Sequence, residues 1–126
     1  MAKTVHLPPG VEQGSYPFSP IVEANGFIFL AGQVGDVPGG HGPVPGGIAA
    51  ETRAMLDNVG RLLRAVGLDY ADVVKSTVYL RDFGDFAAMN AVYREVFPTE
   101  PPTRATVGVT ALADTYRVEI EVIAAR

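Results

Sequence analysis

The chain contains no cysteine. That excludes disulfides, thiol nucleophiles and thiolate metal sites together. Histidine is nearly absent: only His6 and His41 occur, and neither has a second ligand at metal-binding spacing or a place in a glutamate-containing helical pair. A zinc centre is therefore not expected. No Gly-x-Ser-x-Gly elbow is present, so Ser15, Ser19 and Ser76 sit in no nucleophile context. No apolar run reaches the roughly 18 residues of a membrane span. The opening "MAKTVHLPPG" has neither the apolar core of a signal peptide nor an arginine-rich amphipathic segment, so the expected location is the cytoplasm. Positive charge is also in short supply, with 10 Lys and Arg against 14 Asp and Glu and a net charge of −4. The basic residues are scattered, and the nearest pair, Arg61 and Arg64, falls on the wet side of a helix. A nucleic-acid partner, which calls for a basic patch, is not expected.

What is present reads as one domain over residues 1–126, long enough for a single core. A hydrophobic fraction of 48% with 19% charged residues is ordinary for a soluble globular protein. In "PIVEANGFIFLAGQVG", Asn25-Gly26 is a type I′ turn signal between two β-prone runs, and the second run, Phe27 to Ala31, is apolar on both faces. Residues 35–47, "GDVPGGHGPVPGG", lie between a strand and a helix, where a phosphate loop must be considered. The Gly-Lys-Ser/Thr ending and a true Gly-x-Gly-x-x-Gly are both missing, which leaves a flexible surface loop carrying an exposed His41.

Residues 48–66 form an amphipathic helix, with Ile48, Thr52, Met55, Leu56, Val59, Leu63 and Val66 at helical spacing and Gly67 as the stop. Residues 71–80 read as a strand. A second helix spans about 84–96 after Asp82 as N-cap, with Phe86, Met89, Asn90, Tyr93 and Phe97 on its inner face. Pro98, Pro101 and Pro102 separate it from a strand over Thr103–Val109. The last strand, Tyr116–Ala124, sets Val118, Ile120, Val122 and Ala124 on one face against Arg117, Glu119, Glu121 and Ile123 on the other. The order β-β-(β)-α-β-α-β-β gives an α+β fold with both helices on one face of the sheet. Two helices cover one face only, yet Phe27, Ile28, Phe29, Leu30, Val73, Val74, Tyr79, Val107 and Val109 supply apolar side chains to both faces. Self-association is the economical way to cover the second face, the alternative being that the long loop over residues 35–47 covers it alone.

Four polar residues stand in apolar settings: Arg104 at the start of the "TRATVGV" strand, Glu119 mid-strand, Asn90 on the inner helix face and Tyr16 in "GSYPFS". Each has a plain explanation: a solvated strand end, its salt-bridge partner, a satisfied core amide and a packing aromatic. Taken together, an arginine and a carboxylate on an uncovered sheet face would be partly buried between subunits. A buried guanidinium needs acceptors, and its planar fork matches a carboxylate. The residues thus point to a small-anion site between subunits, with the anion left open.

The strings "GSYPFSPIVEANGFIFLAGQVG", "LDNVGRLLRAVGLDYADVVKSTVYLRDFGDFAAMNAVY", "PPTRATV" and "VEIEVIA" resemble the Rid (YjgF/L-PSP) family of reactive-intermediate deaminases over nearly the whole chain. That resemblance implies a chorismate-mutase-like α+β fold, a mixed sheet with two helices on one face, and a homotrimeric barrel with active sites between subunits. It implies cofactor-free, metal-free hydrolysis of 2-aminoacrylate/2-iminopropanoate and 2-iminobutanoate to 2-keto acids and ammonia. By the same resemblance Arg104 clamps the substrate carboxylate and Glu119 positions and activates water. Tyr16, Ala31, Gly32, Asn90 and Thr106 line the pocket, with Gln33 at its wall. Two positions depart from many family members, which carry serine where this chain has Ala31 and cysteine where it has Thr106. The first removes one possible hydrogen bond to substrate, and the second argues against thiol-based regulation at that position. Three rival readings accompany the deaminase: a non-enzymatic binder of small carboxylates, a ribonuclease or translation inhibitor, and a relative acting on pyrimidine-breakdown intermediates.

Overall fold

The computed structural model describes residues 2–126. Seven strands make one mixed sheet: β1 (Thr4–Val5), β2 (Ile21–Ala24), β3 (Phe27–Leu30), β4 (Gln33–Val34), β5 (Val73–Leu80), β6 (Thr103–Gly108) and β7 (Val118–Ala125). The order across it is β1-β2-β3-β7-β5-β6, with β4 paired to β7. All pairings are antiparallel except β5 with β6, the two strands joined through helix α2. Helix α1 spans Gly47–Ala65 and α2 spans Phe86–Val96.

The hairpin forms where Asn25-Gly26 required it. Asn25 and Gly26 have φ of 53° and 81°, the positive values that a type I′ turn demands at both central positions. Helix α1 ends at Gly67 as expected, where the N–H groups of Gly67 and Leu68 donate to the carbonyls of Arg64 and Leu63. Met55, Leu56, Val59, Leu63 and Met89 pack against Ile28, Val78, Leu80, Val118 and Ile120 in one core between the helices and one sheet face. The alternation read in β7 holds, with Val118, Ile120, Val122 and Ala124 buried.

Several local expectations need correction. Residues 70–72 form a 3₁₀ turn capped reciprocally by Asp69 and Asp72, so β5 begins at Val73 rather than at residue 71. Asp82 does cap, accepting from the Gly84 N–H, but it caps a 3₁₀ turn over Phe83–Asp85, and α2 starts only at Phe86. Residues 35–47 are also not a free loop. Asp36 bridges Pro43, Val44 N donates to the Gly35 carbonyl, and Gly42 N donates to the Tyr116 hydroxyl. Two short strands, β1 and β4, complete the sheet; β1 has no counterpart in the sequence reading.

Among the described residues no element covers the sheet's second face. Phe27 and Phe29 remain 44% and 41% exposed there, beside Ile123, Tyr79 and Val107. A hollow of about 220 Å³ lies on this face, lined by Phe29, Lys75, Thr77, Glu121 and Ile123 among others.

Candidate active site

Arg104 sits on β6, an edge strand of the sheet. Its register partner on β5 is Ser76, which is buried beneath the helices, so Arg104 projects to the helix side. There the Asn90 side-chain oxygen accepts from Nη1 at 2.8 Å. The guanidinium carbon lies 4.6 Å from the centre of the Tyr93 ring and 5.6 Å from that of Phe86. These distances are within the range of attraction between a cation and an aromatic face. The Tyr93 hydroxyl is tied to Ser76 Oγ at 2.7 Å, and burial pushes its pKa up, an effect that the Ser76 bond and the Arg104 charge oppose. Arg104 is thereby fixed by an amide and a ring. Among the described residues no carboxylate neutralises it. Arg104 also lines a cavity of about 300 Å³, together with Asn90, Tyr93, Arg94, Phe97, Pro101 and Pro102.

Thr106 lies two residues further along β6 on the same face, and its hydroxyl oxygen is buried without a hydrogen-bond partner. A buried, unpaired hydroxyl costs free energy unless a ligand or water completes it.

The second group of candidates lies elsewhere. Glu119 pairs with Tyr79 on β5 and Val34 on β4, in the part of β7 whose side chain leaves the open face. Burial raises its carboxyl pKa, and the Glu121 charge raises it further. A Cβ built on Gly32 would collide with Oε2 of Glu119, so glycine is what permits the carboxylate to lie against that backbone. Ala31 is anchored next to it: its N–H donates to the Pro20 carbonyl and its carbonyl accepts from the Gln33 side chain. Tyr16 is 73% exposed, stacked on Phe18 at 6.4 Å.

The chain therefore brings Arg104, Asn90 and Thr106 together, and separately Glu119, Ala31, Gly32 and Gln33. It does not bring the two groups together. The expectation that Arg104 shares the open face with Glu119 is wrong: the arginine points to the helices and the glutamate points away. Parallel pairing with β5 decides this, because it puts Arg104 opposite Ser76 rather than opposite Lys75 or Thr77.

Residues 12–126 match the family described as endoribonuclease L-PSP. The chain belongs to that family. The resemblance to the Rid (YjgF/L-PSP) proteins is thus borne out over almost the whole sequence. A relative from Capra hircus, named 2-iminobutanoate/2-iminopropanoate deaminase, is 44% identical over 108 residues, covering 86% of this chain and 79% of that protein. Among solved structures, yeast YEO7 superposes with a TM-score of 0.91 at 31% identity over 99% of both chains. E. coli TdcF with bound serine gives 0.82 at 34% identity over 90% of this chain and 91% of that one. The α+β architecture is that of the L-PSP family, with a mixed sheet and two helices.

Two side chains that shape the site escaped the sequence reading. Glu51 is fully buried on α1, although the helix reads as amphipathic with Glu51 outside its apolar stripe. It accepts from the backbone N–H groups of Arg117 and Val118 and from Arg117 Nη1. No signal in the sequence distinguishes it from a solvated glutamate. Arg94 stands one helical turn after Asn90 and lines the same cavity as Arg104; the i, i+4 spacing from Asn90 was the available signal.

Proposed function

We propose that this chain hydrolyses short 2-imino acids and their enamine tautomers, such as 2-iminopropanoate/2-aminoacrylate and 2-iminobutanoate, to 2-keto acids and ammonia. One observation carries the reading: a guanidinium held rigidly by Asn90 and Tyr93, lining a cavity, with no carboxylate of its own among the described residues. Such a group is preorganised for a carboxylate supplied by a ligand. The names of relatives at 40–44% identity support the reaction class, and the serine held by TdcF supports a small carboxylate as occupant.

The chemistry requires little. An imine carbon is already electrophilic. Arg104 clamps the carboxylate and so fixes that carbon against one water. Glu119 takes a proton from the water as its oxygen bonds to the carbon, and returns it to the nitrogen as the C=N bond becomes single. The aminoalcohol then expels ammonia as the C=O bond forms. Ionised Glu119 is the base, and its raised pKa makes it a better proton acceptor than an ordinary glutamate. Asn90 and the Thr106 hydroxyl line the carboxylate end; Ala31, Gly32 and Tyr16 line the water end.

Arg104 and Glu119 leave opposite faces of one sheet, so one chain cannot aim both at one substrate. A second copy, covering the apolar open face with its own, supplies the missing half. A closed ring of three satisfies every open face and gives three equivalent sites. The family's description points to RNA, but a net charge of −4 works against binding a phosphate backbone.

The test generates 2-iminobutanoate in situ with a threonine dehydratase while semicarbazide competes for it. Wild type diverts the imine to the keto acid. Arg104→Ala loses about 100-fold or more of that rate while keeping the wild-type oligomeric state. Turnover retained in the variant would sink the clamp.

A further inference from the structure

The cavity beside Arg104 holds a second cation that the proposed reaction does not use. Arg94 stands four residues after Asn90 on α2, hence on the same helix face and one turn further along. Asn90 holds the Arg104 guanidinium at 2.8 Å. The base of Arg94 is therefore offset from that point by about 5–6 Å along the helix axis. Both arginines line the same cavity, and among the described residues no acid does. Arg94 also has no ion-pair partner among the described residues, whereas its neighbour Glu95 is paired with Arg53 at 2.8 Å. Tyr93, Phe97, Pro101 and Pro102 supply the rest of the lining with Asn90. In a chain of net charge −4, this is a recess lined by two arginines and several apolar side chains.

We infer that this site takes dicarboxylic 2-imino acids of four or five carbons: Arg104 binds the carboxylate next to the imine, and Arg94 binds the distal carboxylate one helical turn away. The inference rests on the carboxylate site proposed above and narrows its substrate class. A chain of one or two methylenes between the imine carbon and the second carboxylate lies along the proline and aromatic lining. The reaction is unchanged: water adds at the imine carbon and ammonia leaves. A reaction that oxidises the amino group of an acidic amino acid to an imine is the class that would supply the substrate.

A plain structural role for Arg94 is also defined. A cation in the last turn of a helix is favoured by the helix dipole whatever the cavity holds. The experiment separates the two roles. Calorimetric titration with 2-oxoglutarate and with 2-oxobutanoate, the stable keto acids of the dicarboxylic and monocarboxylic substrates, is run on wild type, Arg94→Ala and Arg94→Lys. Wild type is expected to bind 2-oxoglutarate tighter by tenfold or more. That ratio falls at least tenfold in Arg94→Ala and recovers in part in Arg94→Lys. A ratio unchanged by Arg94→Ala, or a wild type that binds 2-oxobutanoate as tightly as 2-oxoglutarate, overturns the inference and leaves the deaminase reading standing. Binding of neither keto acid to wild type overturns the carboxylate site itself, and this inference with it.

Discussion

Glu119 carries a tension that can be measured. Burial first, and the Glu121 charge second, lift its pKa above the ordinary 4.5. The folded protein thus holds the Glu119 proton more tightly than the unfolded chain does. The sign follows from linkage: the stabilising proton is fully present below the unfolded pKa, and its contribution is lost as pH rises through the folded one. At neutral pH the ionised carboxylate is a cost. Glu119→Gln should therefore raise the melting temperature at pH 7–8, and the difference from wild type should shrink on acidification towards the ordinary glutamate range. Thermal denaturation of both proteins across that interval checks it; a variant less stable than wild type at pH 8 would contradict the argument. The same shift sets the acid limb of the rate profile, which should lie above the ordinary glutamate value and move to lower pH in Glu121→Gln. If the protein only binds carboxylates, Glu119→Gln keeps ligand affinity and there is no limb to move.

At the scale of elements, β7 has to enter the sheet with the right face towards the helices, since a slip of one residue would exchange Glu119 with Ile120. Glu51 secures that entry. Its carboxylate reaches from α1 to the N–H groups of Arg117 and Val118, just before β7 runs on to Glu119. Gly35 lies so close to the Glu51 backbone that a Cβ there would strike its carbonyl oxygen. Glu51→Ala leaves two N–H groups unpaired and a void in the core, and should cost about 3 kcal/mol in denaturant unfolding. Glu51→Gln, which keeps one acceptor, should cost less; equal losses would mean that the volume alone matters. The elements themselves were readable because local rules govern them: the Asn25-Gly26 turn, the helical spacing of Met55, Leu56, Val59 and Leu63, and the alternation from Val118 to Ala124. The side Arg104 takes was not readable. It depends on which β5 residue lies beside it in a parallel pair, a non-local register that no period in the β6 sequence encodes. Glu51 was hidden for a related reason, since its partners lie 66 and 67 residues away.

For the whole molecule, the open face with Phe27 and Phe29 and the divided candidate site make one argument. An exposed apolar sheet face favours association, and a site split across the sheet needs it. This leads to a prediction that no single-chain mechanism shares. Arg104→Ala and Glu119→Gln should each be inactive alone. Co-expressed in equal amounts under two affinity tags and purified as mixed oligomers, they should recover activity. Each site takes its arginine from one subunit and its glutamate from the next. In random assembly about a quarter of all sites are whole, and in a ring of three that carries both tags one site in about three is, because only one of its junctions joins an intact arginine to an intact glutamate. Mixed oligomers carrying both tags yet remaining inactive would mean that one subunit must supply both groups. That would require Arg104 or Glu119 to leave the sheet face it occupies here, and the intersubunit site would fall with it.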